Sequence, residues 1–125
     1  MHRDACLVAV VDDEESVRRA LGRLIRSAGF GVETFASGVE FMQSLQRHQP
    51  DCVVLDLRMP MVSGLEVQSA MVRSGTRVPV IIITGDDSPQ TRERTLRQGA
   101  RAYLRKPVDD AMLIEAIQGA IQERT

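Results

Sequence analysis

Five times along this chain a short apolar run gives way to a segment of helical periodicity, with only brief polar joints between them. The runs fall at 7–11, 32–35, 52–55, 78–83 and 102–104. Such strict alternation leaves few options, because parallel strands need crossover connections and the crossover helices cover the faces of the sheet. No repeat, low-complexity tract or linker interrupts the pattern, and 125 residues suffice for one buried core. The expected fold is a single α/β domain over 1–125: a doubly wound, five-stranded parallel sheet with five helices.

Local signals mark the elements. The first helix is expected over about 14–28, where Val17, Leu21, Leu24, Ile25 and Ala28 keep helical spacing and Gly29 offers a left-handed stop. Ser37 with Glu40, and Ser63 with Glu66, read as capping boxes opening the second and third helices. The second carries Phe41, Met42 and Leu45, and Gly75 closes the third. Ser88-Pro89 begins a fourth helix that ends at Gly99, and Asp109 or Asp110 begins a last one running to about residue 122. The runs 7–11, 52–55 and 80–83 are almost wholly apolar, as strands buried on both faces require, whereas 32–35 and 101–105 alternate as edges do. The strand order that follows is 2-1-3-4-5, a flavodoxin-like winding whose switch point lies between strands one and three.

Four of the apolar runs end on a reactive group: Asp12-Asp13, Asp56, Thr84 and Lys106. In a parallel sheet these ends lie side by side, so three carboxylates, a hydroxyl and an ammonium gather at one edge. Lys106 is the only lysine beside fifteen arginines, a compact, flexible charge suited to a moving phosphoryl group. At about 5 Å and an effective dielectric of about 20, each pair of ionised acids repels by roughly 3 kcal/mol. Either one acid is protonated or a hard cation binds. Oxygen-only ligands at an open crevice favour magnesium or manganese, and such a site normally also takes a phosphate. Asp56 can then attack phosphorus while Lys106 and Thr84 hold its oxygens.

Taken singly, each element has a plain structural reading. Asp12-Asp13 could cap a helix, with Glu14 and Glu15 adding first-turn charge. Asp56 could be a turn residue, Thr84-Gly85 a strand end, and Lys106-Pro107 the start of a loop. Their coincidence at four strand ends argues against all four readings together. Bulk properties exclude other classes. A formal net charge of −1 gives no general attraction to nucleic acid or acidic membranes. No apolar stretch approaches 18 residues, and Met1-His2-Arg3-Asp4 does not read as a secretory signal. Cys6 and Cys52 are expected to be buried, reduced thiols, and the location cytoplasmic.

At these residues the chain resembles the receiver domain of bacterial two-component response regulators, a CheY-like fold, over nearly all of 6–122. The motifs are Val10-Val11-Asp12-Asp13-Glu14-Glu15, Val53-Val54-Leu55-Asp56-Leu57-Arg58-Met59-Pro60, Ser63-Gly64, Ile81-Ile82-Ile83-Thr84-Gly85, Gly99-Ala100 and Tyr103-Leu104-Arg105-Lys106-Pro107. The wording around Asp56 and Thr84 is most similar to the FixJ/NarL-type branch, usually joined to a helix-turn-helix DNA-binding domain. The resemblance implies that Asp56 accepts a phosphoryl group from a sensor histidine kinase or a small donor such as acetyl phosphate. It also implies that Asp13, Asp56 and the backbone carbonyl of Arg58 ligate Mg2+, with Asp12 acting through water. Thr84 and Lys106 would bind phosphoryl oxygens and draw Tyr103 inward, and Lys106-Pro107 would be cis. The family catalyses only its own phosphorylation and dephosphorylation. Many of its members carry an acid where Met61 stands here.

Other features bear on a switch. The fourth helix, around Arg92 to Gln98, offers little beyond Leu96 to bury and should be held weakly. Tyr103 shares the more polar face of an alternating edge strand with Arg101 and Arg105, so it could sit in or out, or else be an ordinary half-buried edge tyrosine. Arg58 and Asp86, each two residues past a site residue, are expected to pair over the site and slow acyl-phosphate hydrolysis, or else to be two solvated loop charges. Arg92, Arg94, Arg97, Arg101 and Arg105 form a basic surface near acidic Asp109, Asp110 and Glu115. Without flanking aromatics it does not read as a nucleic-acid site. It reads as a solvated face or as a phosphorylation-dependent contact with an effector or a second copy. The competing functions are a Mg-dependent aspartyl-phosphate phosphatase or phosphotransferase, which needs a substrate cap and a different acid spacing, and a flavin or nucleotide binder. The latter needs a phosphate-cradling loop, and neither GxGxxG nor GxxxxGK[ST] occurs. The sequence leaves open whether the domain stands alone or belongs to a longer regulator.

Overall fold

The computed structural model describes residues 6–86 and 88–124, the side chain of Arg124 excepted. The opening Met1-His2-Arg3-Asp4 lies outside the described residues. The elements follow in strict alternation: β1 Leu7–Val11, α1 Glu15–Ser27, β2 Gly31–Phe35, α2 Gly38–Leu45, β3 Cys52–Asp56, α3 Gly64–Arg73, β4 Val80–Thr84, α4 Pro89–Arg97, β5 Ala102–Arg105 and α5 Asp110–Arg124. All strand pairings are parallel and the order is β2-β1-β3-β4-β5, as the run textures imply.

Side-chain alternation splits the central strands between two cores. Ala9, Val11, Val53, Leu55 and Ile82 point to one face and meet Phe41 of α2 with Val67 and Met71 of α3. Val8, Val10, Cys52, Val54, Ile81 and Ile83 point to the other and meet Leu21 and Ile25 of α1 with Leu113, Ile117 and Ala120 of α5. Each fully buried side chain of this size contributes roughly 1.5–3 kcal/mol of transfer free energy. These two layers fix the central strands and therefore where their C-terminal ends emerge.

Several local expectations need adjustment. β4 begins at Val80 rather than 78, because Pro79 has no N–H to give and only its carbonyl joins the ladder, accepting from Val53 N at 3.0 Å. Val78 is nonetheless buried. Asp56, Thr84 and Arg105 are the last residues of their strands rather than the first beyond them. The Ser63–Glu66 capping box is complete, whereas at α2 only Ser37 Oγ accepting from Glu40 N is present. In α4 the buried residue is Thr95, fully enclosed, while Leu96 is 41% exposed. The helix turns its small hydroxyl residue inward and contributes no side chain to either apolar core. Cys52 is buried as expected but Cys6 only partly, and both are free thiols. Among the described residues, no helix is long and apolar enough to cross a membrane.

Candidate functional site

The crevice at the switch point is built from strand ends. Asp12 follows β1 directly and is fully buried; its N–H donates to Phe35 O at 3.1 Å, and its Oδ1 accepts from Glu14 N at 2.9 Å. Asp13, the next residue, is exposed. Asp56 closes β3 at 2% exposure, and its Oδ1 accepts a long bond from Arg58 N at 3.4 Å. Carboxylate oxygens of Asp12, Asp13 and Asp56 all lie within 4.8 Å of one another. The three acids predicted to converge are therefore one cluster.

Lys106 arrives from beyond β5. Its Nζ lies 2.9 Å from Asp12 Oδ2, 3.4 Å from Asp56 Oδ1 and 3.9 Å from Glu14 Oε1, with only 19% of its side chain exposed. Its main-chain N–H donates to Thr84 O at 2.8 Å, so the two strands that carry the ammonium and the hydroxyl are pinned together at the site. The Lys106–Pro107 peptide is cis. Thr84 is fully buried and its Oγ1 accepts from Asp86 N at 3.1 Å.

Electrostatics follow from this crowding. Burial first, and then the Asp12 charge, push the Asp56 carboxyl from 3.8 up to about 6, against the opposing pull of Lys106 and of the Arg58 N–H. Burial pulls the Lys106 ammonium down, but the Asp12 hydrogen bond and the charges of Asp56 and Asp12 outweigh it and leave its pKa above the ordinary lysine value. One ammonium thus does not fully compensate three acids. An all-oxygen donor set with residual negative charge at an open crevice fits a hard divalent cation, and the cluster suits Mg2+ or Mn2+.

The rim connects the site to the rest of the domain. Arg58 and Asp86 form the expected ion pair, joining the β3–α3 loop to the β4–α4 loop. Tyr103 is half-buried against the α2–α3 side core, and its hydroxyl donates to Asp86 O at 3.0 Å. The Arg92 guanidinium lies over its ring, 5.7 Å from the centroid. Met61, where an acid is frequent in the resembling family, is 95% exposed at φ +71.

Sequence reasoning missed three supports. Arg18 Nη1 donates to Asp12 O at 2.8 Å; the available signal was an arginine in the first turn of α1, where it opposes the helix dipole. Glu14, read only as first-turn charge, comes within reach of Lys106. Gly64 lies so close beneath the Asp56 peptide that a Cβ there would be 2.4 Å from Asp56 O, a contact no periodicity reveals.

The fold is shared with known proteins. The response regulator receiver domain family matches residues 8–118. The chain belongs to that family, and with it to the receivers of two-component signalling systems. It is 38% identical over 116 residues to Nodulation protein W of Bradyrhizobium diazoefficiens, covering 93% of this chain and 51% of that protein. It is 33% identical over 114 residues to Transcriptional regulatory protein FixJ of Azorhizobium caulinodans, covering 91% and 54%. A crystal structure of a response regulator receiver protein from Burkholderia phymatum superposes with a TM-score of 0.82 at 45% identity, covering 94% of this chain and 95% of that one. The chain spans about half the length of the curated relatives it matches.

Proposed function

We propose that this domain is a phosphorylation-dependent switch whose phosphoacceptor is Asp56. The observation that carries this reading is a buried carboxylate at 2% exposure with an ammonium 3.4 Å away and two further acids beside it. An Asp56 oxygen attacks the phosphorus of a phosphohistidine on a sensor kinase, or of acetyl phosphate. The donor's P–N or P–O bond breaks as the new O–P bond forms, and the leaving group departs with the electron pair. Water later cleaves the acyl phosphate, returning the carboxylate and inorganic phosphate.

The roles divide by position. Asp13, Asp56 and the Arg58 carbonyl would hold Mg2+ directly, and Asp12 through water; Mn2+ suits the same ligands. When bound, the cation supplies positive charge to the phosphoryl oxygens and lowers the repulsion among the acids. Lys106, ion-paired to Asp12 and Asp56, is placed to follow the charge onto the incoming group. Thr84 donates its hydroxyl to a phosphoryl oxygen, which shifts the loop that also holds the Tyr103 hydroxyl. Output then passes through α4, β5 and α5 to an effector domain or a second copy. A helix-turn-helix partner fits the FixJ-like resemblance, and a cytoplasmic location fits the role. Intact mass spectrometry after incubation with Mg2+ and acetyl phosphate tests the reading. One phosphoryl mass is expected on the wild type and none on Asp56→Ala; equal labelling of both would place the acceptor elsewhere.

A further inference from the structure

Two side-chain hydrogen bonds tie α3 to the C-terminal half of α4. Gln68, 1% exposed, donates from Nε2 to Thr95 O at 2.8 Å, and Ser69 Oγ donates to Gln98 Oε1 at 3.0 Å. No side chain of α4 enters either apolar core, so these bonds stand in for the packing that fixes the other helices. The seam is also imperfectly satisfied. Gln68 Oε1 is buried with no hydrogen-bond partner among the described residues, an arrangement that costs free energy for as long as it lasts. The hydroxyl of Thr95, the buried residue of α4, is bonded within its own helix, to Arg92 O at 2.9 Å.

We infer that Gln68 is a positioning residue that holds α4 in its present register and restrains the switch. The inference rests on the reading of Asp56 as phosphoacceptor. As Thr84 moves to bring its hydroxyl onto a phosphoryl oxygen, it draws on the Asp86 N–H bonded to its Oγ1, and that loop runs into Ser88, the cap of α4. The start of α4 must then shift, and the Gln68–Thr95 and Ser69–Gln98 bonds resist it at the other end. By linkage, weakening the seam lowers the cost of the phosphorylation-competent arrangement and speeds phosphorylation. A purely structural role predicts the opposite: a looser, less stable domain that reacts no faster.

The test compares wild type, Gln68→Met and Ser69→Ala by the acetyl-phosphate labelling rate at saturating Mg2+, read by intact mass, and by amide hydrogen exchange along α4. Gln68→Met keeps the volume and removes both polar atoms; Ser69→Ala weakens the seam nearer the surface and leaves the core intact. Labelling is expected to quicken by about fivefold in Gln68→Met, the order expected for one hydrogen bond, and by less in Ser69→Ala, with faster exchange in α4 and unchanged exchange in α1. If the wild type is labelled at Asp56 but both variants react at or below its rate, Gln68 is no brake and the inference fails alone. If the wild type takes no phosphoryl group, the assignment of Asp56 fails and the inference falls with it. Should Gln68→Met not fold, the Ser69→Ala rate alone decides.

Discussion

Asp56 is where the physics of the site is most easily measured. Its folded-state pKa of about 6 lies above the ordinary 3.8, so between those values the folded state binds more protons than the unfolded chain. Stability must therefore fall as pH rises from about 4 to about 6, and stay reduced above that. The difference of about two pH units corresponds to ~3 kcal/mol. Asp56→Asn keeps the shape without the charge. It should unfold at higher temperature than the wild type at pH 7.5 in chelator, by about 2–3 kcal/mol, with the gap narrowing once Mg2+ is added. Calorimetry of both proteins with and without the cation checks this, and a variant no more stable than wild type would mean that burial and the Asp12 charge do not penalise the ionised Asp56. Lys106 acts at the other end of the scale: its raised pKa stabilises the fold at neutral pH, a contribution lost as pH passes above 10.5. At the rim, the Arg58–Asp86 ion pair spans the approach to Asp56. Arg58→Ala should hasten hydrolysis of the acyl phosphate several-fold, measurable as the decay of phosphorylated mass; an unchanged lifetime would leave the pair a surface contact only.

At the level of elements, α3, the helix that follows β3, is seated with little clearance. A methyl group at Gly64 would sit 2.4 Å from Asp56 O and 2.8 Å from Leu57 Cα, both backbone atoms that cannot swing away. Gly64→Ala should cost ~2 kcal/mol or more and slow phosphorylation, because α3 must back off from the strand that aims Asp56. Ser63→Ala, one residue earlier, removes the complete capping box and should cost ~1 kcal/mol with labelling intact. Chemical denaturation with a labelling assay separates the two. The same scale shows what a sequence can convey. Apolar runs at β1, β3 and β4 gave away the central strands because two-sided burial leaves no room for polar residues, and the order followed. The site was legible for the same reason: a polar group at the end of such a run must emerge at the sheet edge. Thr95 and Leu96 were misjudged because hydrophobicity ranks leucine first, whereas the inward position of α4 is taken by a small side chain bonded to its own helix, with its carbonyl held by Gln68 of α3. Gly64 and Arg18 were hidden because their partners are main-chain oxygens, which carry no residue-specific signature.

Across the whole molecule, the acid cluster and the α4–β5 face adjoin each other. The acids and Lys106 lie at the C-terminal rim of the sheet, and Tyr103 with Arg92 connects that rim to the α4–β5 face through Asp86. The arginines of this face are partly answered from within, since Arg97 pairs with Glu93 and Arg101 with Glu123. This leaves a mixed-charge surface better suited to a protein partner than to a polyanion. If the face serves a second copy, phosphorylation should raise the mass seen by light scattering at high protein concentration. A monomer in both forms would assign it to an effector instead. The solitary lysine has a practical corollary. Any acylating reagent that attacks side-chain amines has one target of that kind in the entire sequence, and it lies beside Asp12 and Asp56, four-fifths shielded from solvent. Its acylation should slow further when Asp56 carries a phosphoryl group, so the native chain footprints its own state without an engineered probe.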